Sequence, residues 1–185
     1  MQAAQLPILI LAVSAQADIR GLVLDAAAGG DAARFAGESL FAPLGIEDYR
    51  WGRQPNGMPE GAARMFLRPR DMARLGQLFL KGGLWQGKQV VPSDWVAAST
   101  RLHVSARPLN PNDYGYFCWL RKLVTPRGNA VEYFGAEGDG GQYIAVFPAR
   151  DLVVVATGGN YGDYGTYDSQ LARMLALHVL PSLGL

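Results

Sequence analysis

Residues 138–161, GDGGQYIAVFPARDLVVVATGGNY, decide the fold of this chain. Two apolar runs, Gln142 to Phe147 and Leu152 to Thr157, flank the four residues Pro148 to Asp151. A four-residue connection between two such runs is typical of a β-hairpin. The stretch therefore predicts two antiparallel strands, with a glycine-rich segment leading into the first of them.

Both faces of the first predicted strand are apolar. Alternation divides its side chains into two sets, Tyr143, Ala145 and Phe147 on one face and Ile144 and Val146 on the other. We therefore expect helices to cover both faces. A helix predicted over residues 167–179 is placed to cover one of them, and its inner side carries Leu171, Met174, Leu175 and His178.

Upstream of this hairpin the pattern changes from strands to helices. Two more strands are predicted, Tyr114 to Leu123 and Val131 to Ala136. Four helices are predicted before them: residues 19–28 ended by Gly29 and Gly30, residues 31–41 capped by Asp31, a helix from Pro69 with Met72, Leu75 and Phe79 at helical spacing, and a short helix capped by Ser93. Residues 47–66 show no period and indicate a long surface loop. Helices, then an antiparallel meander, then a covering helix predict the α+β class.

Composition narrows the possible functions. The 185 residues are 49% hydrophobic and 18% charged, which is typical of a globular domain with a substantial core. The net charge is +1 and the arginines are scattered singly, so nothing favours a nucleic-acid partner. Cys118 is the only cysteine, which excludes an internal disulfide, and its apolar neighbours indicate a buried side chain. No grouping has metal-ligand spacing, and no cofactor is expected.

Residues 1–18 form an atypical leader ahead of a single unit at residues 19–185. The leader holds a short apolar run from Leu6 to Val13 and then Ala15-Gln16-Ala17, which has the form of a signal-peptidase site. No lysine or arginine precedes the run, and it is too short to span a bilayer. A cytoplasmic location and a periplasmic or secreted one both stay open.

Several segments together resemble one family. They are similar to motifs of β-lactamase-like serine hydrolases and appear in the family's order: Leu40-Phe41-Ala42-Pro43-Leu44-Gly45-Ile46, the helix segment from Leu67 to Gly76, the segment from Gly83 to Pro92, and Tyr114-Gly115-Tyr116 with Trp119. The stretch from Gly138 to Tyr161 resembles the third-motif hairpin in the branch of class C β-lactamases, esterases and 6-aminohexanoate-dimer hydrolases. The resemblance covers about residues 19–183. It implies the C-terminal portion of a β-lactamase/transpeptidase-like fold, with an antiparallel sheet flanked by helices.

The resemblance also implies a chemistry that this sequence does not complete. Family members attack an acyl carbon with the serine of Ser-x-x-Lys and move protons through a Tyr-x-Asn or Tyr-x-Ser phenol. The three lysines are Lys81, Lys88 and Lys122, and the residues three positions before them are Leu78, Trp85 and Trp119. Ser-x-x-Lys is therefore absent. Tyr167-Asp168-Ser169 has the letters of the phenol motif but lies at the wrong end of the chain.

The third motif is the candidate site. By order, Gly138, Asp139, Gly140 and Gly141 occupy the place of the family's Lys-Thr-Gly strand, which the resemblance implies binds substrate and the oxyanion. The alternative is a plain glycine-rich turn. An oxyanion donor must face a cleft, so we expect the backbone of Asp139 and Gly140 to stay partly accessible.

Three further residues are weighed beside this motif. Asn160 and Tyr161 are a possible cleft rim or a solvated turn. His103 follows a predicted helix end, where it could belong to the rim of a substrate site. No lysine stands in the third motif to bind a β-lactam carboxylate, which favours esters, amides or peptides as substrates.

Two functions stay open at this point. The first is the C-terminal part of a serine acyl hydrolase, catalytically silent by itself, whose full-length protein acts on a small-molecule or peptide acyl substrate. The second is a noncatalytic binding protein that keeps the fold. Loss of the partner half of the fold would expose apolar surface, so self-association is expected.

Overall fold

A six-stranded antiparallel sheet organises the computed structural model of the chain, which describes residues 23–61, 63–105 and 112–184. Its strands follow one another in chain order: β5 (Val104–Ser105), β6 (Asp113–Tyr114), β7 (Trp119–Val124), β8 (Ala130–Gly138), β9 (Gln142–Phe147) and β10 (Leu152–Ala156). Each strand pairs with the next one along the chain. The predicted meander and the α+β class are confirmed.

The predicted hairpin is formed by β9 and β10. Their register runs from Leu152 opposite Phe147 to Ala156 opposite Tyr143, so the second strand ends one residue before the predicted Thr157. The connection is a 3-10 turn, Pro148–Arg150, followed by Asp151 in the left-handed conformation. An aspartate tolerates that conformation better than most residues, which allows the tight return into β10.

One face of the sheet is covered by α3 (Pro69–Leu80). Met72, Leu75, Leu78 and Phe79 of this helix share a core with Ile144 and Val146 of β9. The helix begins at Pro69, as predicted, because a proline in the first turn has no amide that the helix needs. A Cβ added to Gly76 would lie 2.5 Å from Val153 Cγ1, so this glycine lets the helix approach the sheet closely.

The opposite face is covered by the terminal helix, α5 (Tyr164–Met174), which continues through a π turn (Leu175–Val179) into α6 (Leu180–Ser182). Its buried side chains are Tyr167, Leu171, Leu175 and Leu180, which pack on Tyr143, Ala145 and Phe147. The prediction was wrong for Met174 and His178, which are exposed. The buried side chains are four residues apart up to Leu175 and five residues apart across the wider π turn. Met174 and His178 each lie three residues after a buried leucine, so they face solvent.

The remaining helices precede the large sheet in the sequence. Residues 23–27 are helical and form α1; α2 (Ala32–Ala36) follows and runs into a π turn at Gly37–Phe41. The side chain of Asp31 caps α2 by accepting a hydrogen bond from the Arg34 amide, as predicted. α4 (Ser93–Ser99) begins one residue earlier than predicted, because Pro92 and not Ser93 holds the cap position.

Two short hairpins complete the described structure. Residues 47–66 are not the plain loop that was predicted, because β1 (Arg50–Trp51) pairs with β2 (Met65–Phe66) there. A second pair joins β3 (Leu84–Trp85) and β4 (Lys88–Gln89). The predicted leader, residues 1–18, lies outside the described residues.

The predicted strand Tyr114 to Leu123 is divided in two. β6 ends at Tyr114 and β7 begins at Trp119, because Phe117 adopts a positive φ of 58° and Gly115 donates back to the Cys118 carbonyl.

Cys118 is buried in the core beneath α3, and burial raises the pKa of its thiol to about 12. The thiol therefore stays protonated. Its burial agrees with the prediction from its apolar neighbours. Within the described ranges, no helix combines the length and hydropathy needed to cross a bilayer.

Candidate functional site

The predicted glycine-rich motif forms the turn between β8 and β9. Gly138 is the last residue of β8 and Gln142 the first of β9, so Asp139, Gly140 and Gly141 make the connection at the end of the sheet. Gly140 and Gly141 have positive φ angles of 83° and 96°, which a glycine adopts without strain. The Gly141 amide donates to the Gly138 carbonyl at 3.3 Å. The motif is thus a turn, and the expectation of a strand was wrong for its last three residues.

The loop after β10 folds back onto this turn. The Asn160 amide donates to the Gly140 carbonyl at 3.1 Å, which makes an isolated bridge between the two segments. A Cβ added to Gly140 would lie 2.7 Å from the ring of Tyr161, which therefore covers this glycine. The Tyr161 side chain itself is 69% exposed. The two segments that the sequence singled out separately, the turn and the possible rim, are in direct contact.

The carboxylate of Asp139 holds the turn and the loop together. One of its oxygens, Oδ1, accepts hydrogen bonds from the Gly140 amide at 2.9 Å and from the Gly162 amide at 2.9 Å. Beside it, the Gln142 side-chain amide donates to the Gly158 carbonyl at 2.6 Å. The Asn160 side chain donates to Gln170 at 3.0 Å, which ties the loop to α5. This set of bonds fixes the backbone at the end of the sheet.

Few amides of the turn are left for a ligand. The Gly140 amide is engaged and its residue is buried, so the accessibility expected for Gly140 was wrong. Asp139 is half-buried, and its amide has no hydrogen bond to any described residue. Gly141 is bonded within the turn. Of these three amides, that of Asp139 is the one available to an anionic oxygen.

A buried ion-pair network lies on the α5 face of the sheet, next to the turn. Arg121 of β7 donates to both carboxylate oxygens of Glu137 in β8 and pairs with Asp168 of α5 at 2.9 Å. The Arg121 and Glu137 side chains are only 16% and 12% exposed. Burial alone would lower the pKa of Arg121, but the hydrogen bonds and charge of Glu137 raise it above its ordinary value. The guanidinium therefore stays charged and anchors α5 beside the turn.

Sequence reasoning missed this network. Arg121 and Glu137 are 16 positions apart and belong to no motif. The alternation of β7 and β8 puts both on the face that α5 covers, so the register of these strands was the signal available.

Two buried tyrosines lie under the turn. Tyr143 and Tyr167 have ring centroids 6.1 Å apart, and the side chain of Tyr167 is within 3.1 Å of a Cβ built on Gly141. Burial raises the pKa of both phenols above the ordinary range. The Tyr143 hydroxyl is buried and has no hydrogen-bond partner among the described residues. Both phenols stay protonated and serve as packing for the turn.

Tyr167-Asp168-Ser169, which has the letters of the family's phenol motif, is structural here. All three residues lie within α5: Tyr167 is in the core, Asp168 pairs with Arg121, and Ser169 donates to the Thr166 carbonyl at 2.9 Å.

The His103 ring stacks on Tyr116 with centroids 3.8 Å apart, and its Nε2 lies 2.7 Å from the Ala98 carbonyl oxygen. Across the described residues, no cluster of three His, Cys, Asp or Glu side chains could hold a metal.

Known proteins resemble this chain in sequence and in fold. Residues 14–175 match the family model described as Beta-lactamase. An uncharacterised protein of Alkalihalophilus pseudofirmus is 30% identical over 105 residues, which are 53% of this chain and 31% of that protein. A putative 6-aminohexanoate-dimer hydrolase from Bacillus anthracis superposes with a TM-score of 0.69 at 21% identity, covering 87% of this chain and 42% of the hydrolase. A β-lactamase from Mycobacterium bovis gives a TM-score of 0.59 at 20% identity, covering 85% and 61% respectively. The chain thus spans less than half of the first two of these proteins.

Proposed function

Because the chain belongs to the β-lactamase family, we propose that it is the sheet-bearing, C-terminal part of a serine acyl hydrolase. The full-length protein would cleave an ester, amide or peptide bond through an acyl-serine. This chain would contribute the wall of the cleft formed by the β8–β9 turn and the loop after β10. The nucleophilic serine and its lysine would come from a segment that this sequence does not contain.

One observation carries the proposal. The turn at Asp139 to Gly141 and the loop at Asn160 to Gly162 are locked together by the Asp139 carboxylate and the Gly140–Asn160 bridge. The Asp139 amide donates to none of the described residues. A rigid backbone donor at the margin of a sheet costs no reorganisation when negative charge develops on a substrate oxygen. A plain solvated turn does not need such cross-links.

The charges at the turn affect which substrates the proposed site would accept. No lysine stands at the turn, and the Asp139 carboxylate lies beside the amide that we propose as the donor. A substrate carboxylate would meet this negative charge without a compensating cation. The arrangement favours neutral esters, amides and uncharged peptide segments over penicillins.

The three lysines of the chain are unsuited to be the missing base. Lys81 pairs with Asp151 at 2.5 Å, Lys122 lies 3.8 Å from Glu132, and Lys88 is exposed on the short hairpin β3–β4. A catalytic lysine of this kind lies in a desolvated pocket beside its serine, and these three side chains are exposed on the surface. We therefore expect the chain alone to be silent as a catalyst.

The absence of Ser-x-x-Lys also favours a second candidate, a noncatalytic binding protein with the same fold. The two candidates differ in what lies upstream in the same transcript. A hydrolase requires Ser-x-x-Lys and Tyr-x-Asn or Tyr-x-Ser there. An intact upstream segment with neither motif would leave the binding protein as the better candidate.

The test uses a fluorophosphonate probe and intact-mass spectrometry. The 185-residue chain alone should remain unmodified, and the chain joined to its upstream segment should gain one adduct on the serine of Ser-x-x-Lys. A stoichiometric adduct on any serine of the chain alone would contradict the proposal.

A pair of glycine variants of the joined protein tests the turn itself. Gly140→Ala should slow labelling roughly tenfold, equivalent to about 1.4 kcal/mol, because the new Cβ strikes Tyr161 and displaces the turn. Gly128→Ala is the matched control, because Gly128 has a similar φ of 81° and open space around it. Equal effects of the two variants would show that the turn has no special role.

A further inference from the structure

Three charged side chains tie the first half of α5 to the two strands that lead to the turn. Arg121 of β7 donates from Nε and Nη2 to the two carboxylate oxygens of Glu137 in β8. The same Nη2 atom pairs with a carboxylate oxygen of Asp168 in α5 at 2.9 Å. A planar guanidinium offers its donors in fixed directions, so it holds the two carboxylates at a fixed angle to each other. The network thus sets where Asp168 lies relative to the end of β8.

Both arms of this network lead to the proposed oxyanion donor within a few residues. Along β8, Glu137 is two residues before Asp139, whose amide is that donor. Along α5, Asp168 is five residues after the cap residue Asp163, which follows Gly162 directly. The Gly162 amide donates to the Asp139 carboxylate at 2.9 Å. The contacts therefore close a ring, from the turn through the loop and α5 to the network, and back along β8 to the turn.

The loop is fastened to α5 by contacts of its own. The Asn160 side-chain amide donates to Gln170 at 3.0 Å. The Asp163 carboxylate accepts a hydrogen bond from the Thr166 amide at 3.1 Å. The loop and the first turns of the helix therefore form one unit. A displacement of α5 along the sheet is passed on to Gly162, and through its amide to the turn.

Apolar packing does not fix the position of α5 by itself. The helix buries Tyr167, Leu171 and Leu175 against the sheet, and the hydrophobic effect that drives this burial is non-directional. Such contacts hold the helix on the sheet but tolerate small displacements along it. A buried ion pair selects one of these positions, because every other position leaves a buried charge without its partner. Arg121 and Glu137 meet this condition, since their side chains are 16% and 12% exposed.

We propose that Asp168 and Arg121 are positioning residues for the acyl-transfer site, an inference that rests on the proposed function. Acting through Glu137 on one side and Gly162 on the other, they fix the direction in which the Asp139 amide points. Neither side chain is assigned a contact with the substrate. An oxyanion donor loses its effect when it is no longer aimed at the developing charge. This role therefore predicts slower acylation with little change in substrate binding.

Hydrogen exchange of the 185-residue chain, resolved by peptide and read by mass spectrometry, tests the positioning of the loop. Asp168→Ala removes the acceptor on α5 and leaves the buried pair of the sheet in place, so the fold should survive. Amide exchange at residues 160–162 should accelerate roughly tenfold, whereas exchange in β9 and β10 should stay within about twofold. Asp168→Asn keeps an acceptor oxygen and should restore part of the protection.

Glu132→Ala is the matched control. Its carboxylate also belongs to an ion pair, with Lys122 at 3.8 Å, but both side chains are exposed and lie on the opposite face of the sheet. This variant should leave exchange at residues 160–162 unchanged. Equal exchange there in Asp168→Ala and the wild type would overturn the inference. Acceleration that is as large in β9 and β10 would also overturn it, because it indicates general loosening.

The joined protein, labelled with the fluorophosphonate probe, tests the effect on the site. Asp168→Ala should lower the maximal rate of labelling about fivefold and leave the half-saturating probe concentration within about twofold, because alignment of the donor acts on the transition state. Glu132→Ala should change neither value. Faster exchange at residues 160–162 with an unchanged maximal rate would overturn the inference and leave the proposed function standing. A joined wild type that the probe does not label would overturn the proposed function itself, and the inference with it.

Discussion

Arg121 and Lys122 follow each other on β7 but meet different surroundings. Successive side chains of a strand point to opposite faces, so Arg121 lies under α5 against Glu137, and Lys122 lies on the other face, 3.8 Å from Glu132. The first pair is almost fully buried, and the second is exposed at both ends. Two adjacent cations thus allow a buried and a surface ion pair to be compared within one strand.

We expect Arg121→Met to lower the free energy of unfolding by about 3 kcal/mol at pH 7, because Glu137 stays buried without its cation. Burial raises the pKa of Glu137 above that of the unfolded chain, and removal of Arg121 raises it further. At a pH between the unfolded and the folded pKa of Glu137, this carboxyl is protonated in the folded variant and ionised in the unfolded chain. The variant's stability is greatest below the unfolded pKa of about 4.3 and falls as pH rises through the folded pKa. Urea unfolding at pH 5 and pH 7 should show a smaller loss at the lower pH.

Lys122→Met is the control, and its effect should stay within about 0.5 kcal/mol at either pH. Comparable losses for both variants would mean that the buried network does not anchor α5. A loss for Arg121→Met that grows as the pH falls would contradict the assigned role of Glu137.

At the scale of elements, Gly76 controls how α3 sits on the sheet. A Cβ at this position would lie 2.5 Å from Val153 and 2.8 Å from Ile144, both in strands beneath the helix. We expect Gly76→Ala to lower the free energy of unfolding by about 1–3 kcal/mol, because overpacking outweighs the gain in helix propensity. Thermal and urea unfolding measure the change.

Gly165→Ala is the matched control, because Gly165 is also helical but faces solvent, and the nearest atom to its Cβ is Asp163 Oδ1 at 4.0 Å. This variant gains helix propensity without a clash and should raise stability by up to about 1 kcal/mol. The two glycines should therefore shift stability in opposite directions. A stabilised Gly76→Ala would show that α3 can lift from the sheet at no cost.

How far the sequence predicts these elements depends on how local their causes are. The β9–β10 hairpin and α3 were predictable, because period-two alternation, a short turn and Pro69 act within a few residues. The break at Phe117 and the buried stripe that passes over Met174 were not, because tertiary packing sets the positive φ and the π turn.

The candidate site divides in the same way. Gly138 to Gly141 and Asn160 to Tyr161 stood out as motifs, but their contact depends on the Asp139 carboxylate reaching Gly162, 23 positions away. The network around Arg121 depends on strand register and was missed for the same reason.

For the molecule as a whole, net charge limits solubility. The formal charge is +1 and the sequence pI is about 7.9, so electrostatic repulsion between copies is weakest near pH 8. We expect the saturating concentration to be lowest near pH 8 and to rise towards pH 5, where the net charge of the chain moves away from zero. Precipitation by polyethylene glycol across this range measures the profile. A maximum near pH 8 would contradict it, and added salt should flatten the profile because it screens the charges.

The meander also determines the order in which contacts can form. Every strand of the large sheet pairs with its neighbour in the chain, so sheet formation closes only short loops and has a low contact order. The docking of α3 is different, since its end meets the β9–β10 turn through Lys81 and Asp151, 70 positions apart. Closing that long loop carries the larger entropic cost. We therefore expect the hairpins to form first and the arrival of α3 to limit the folding rate, so that Gly76→Ala speeds unfolding with little effect on the early phase.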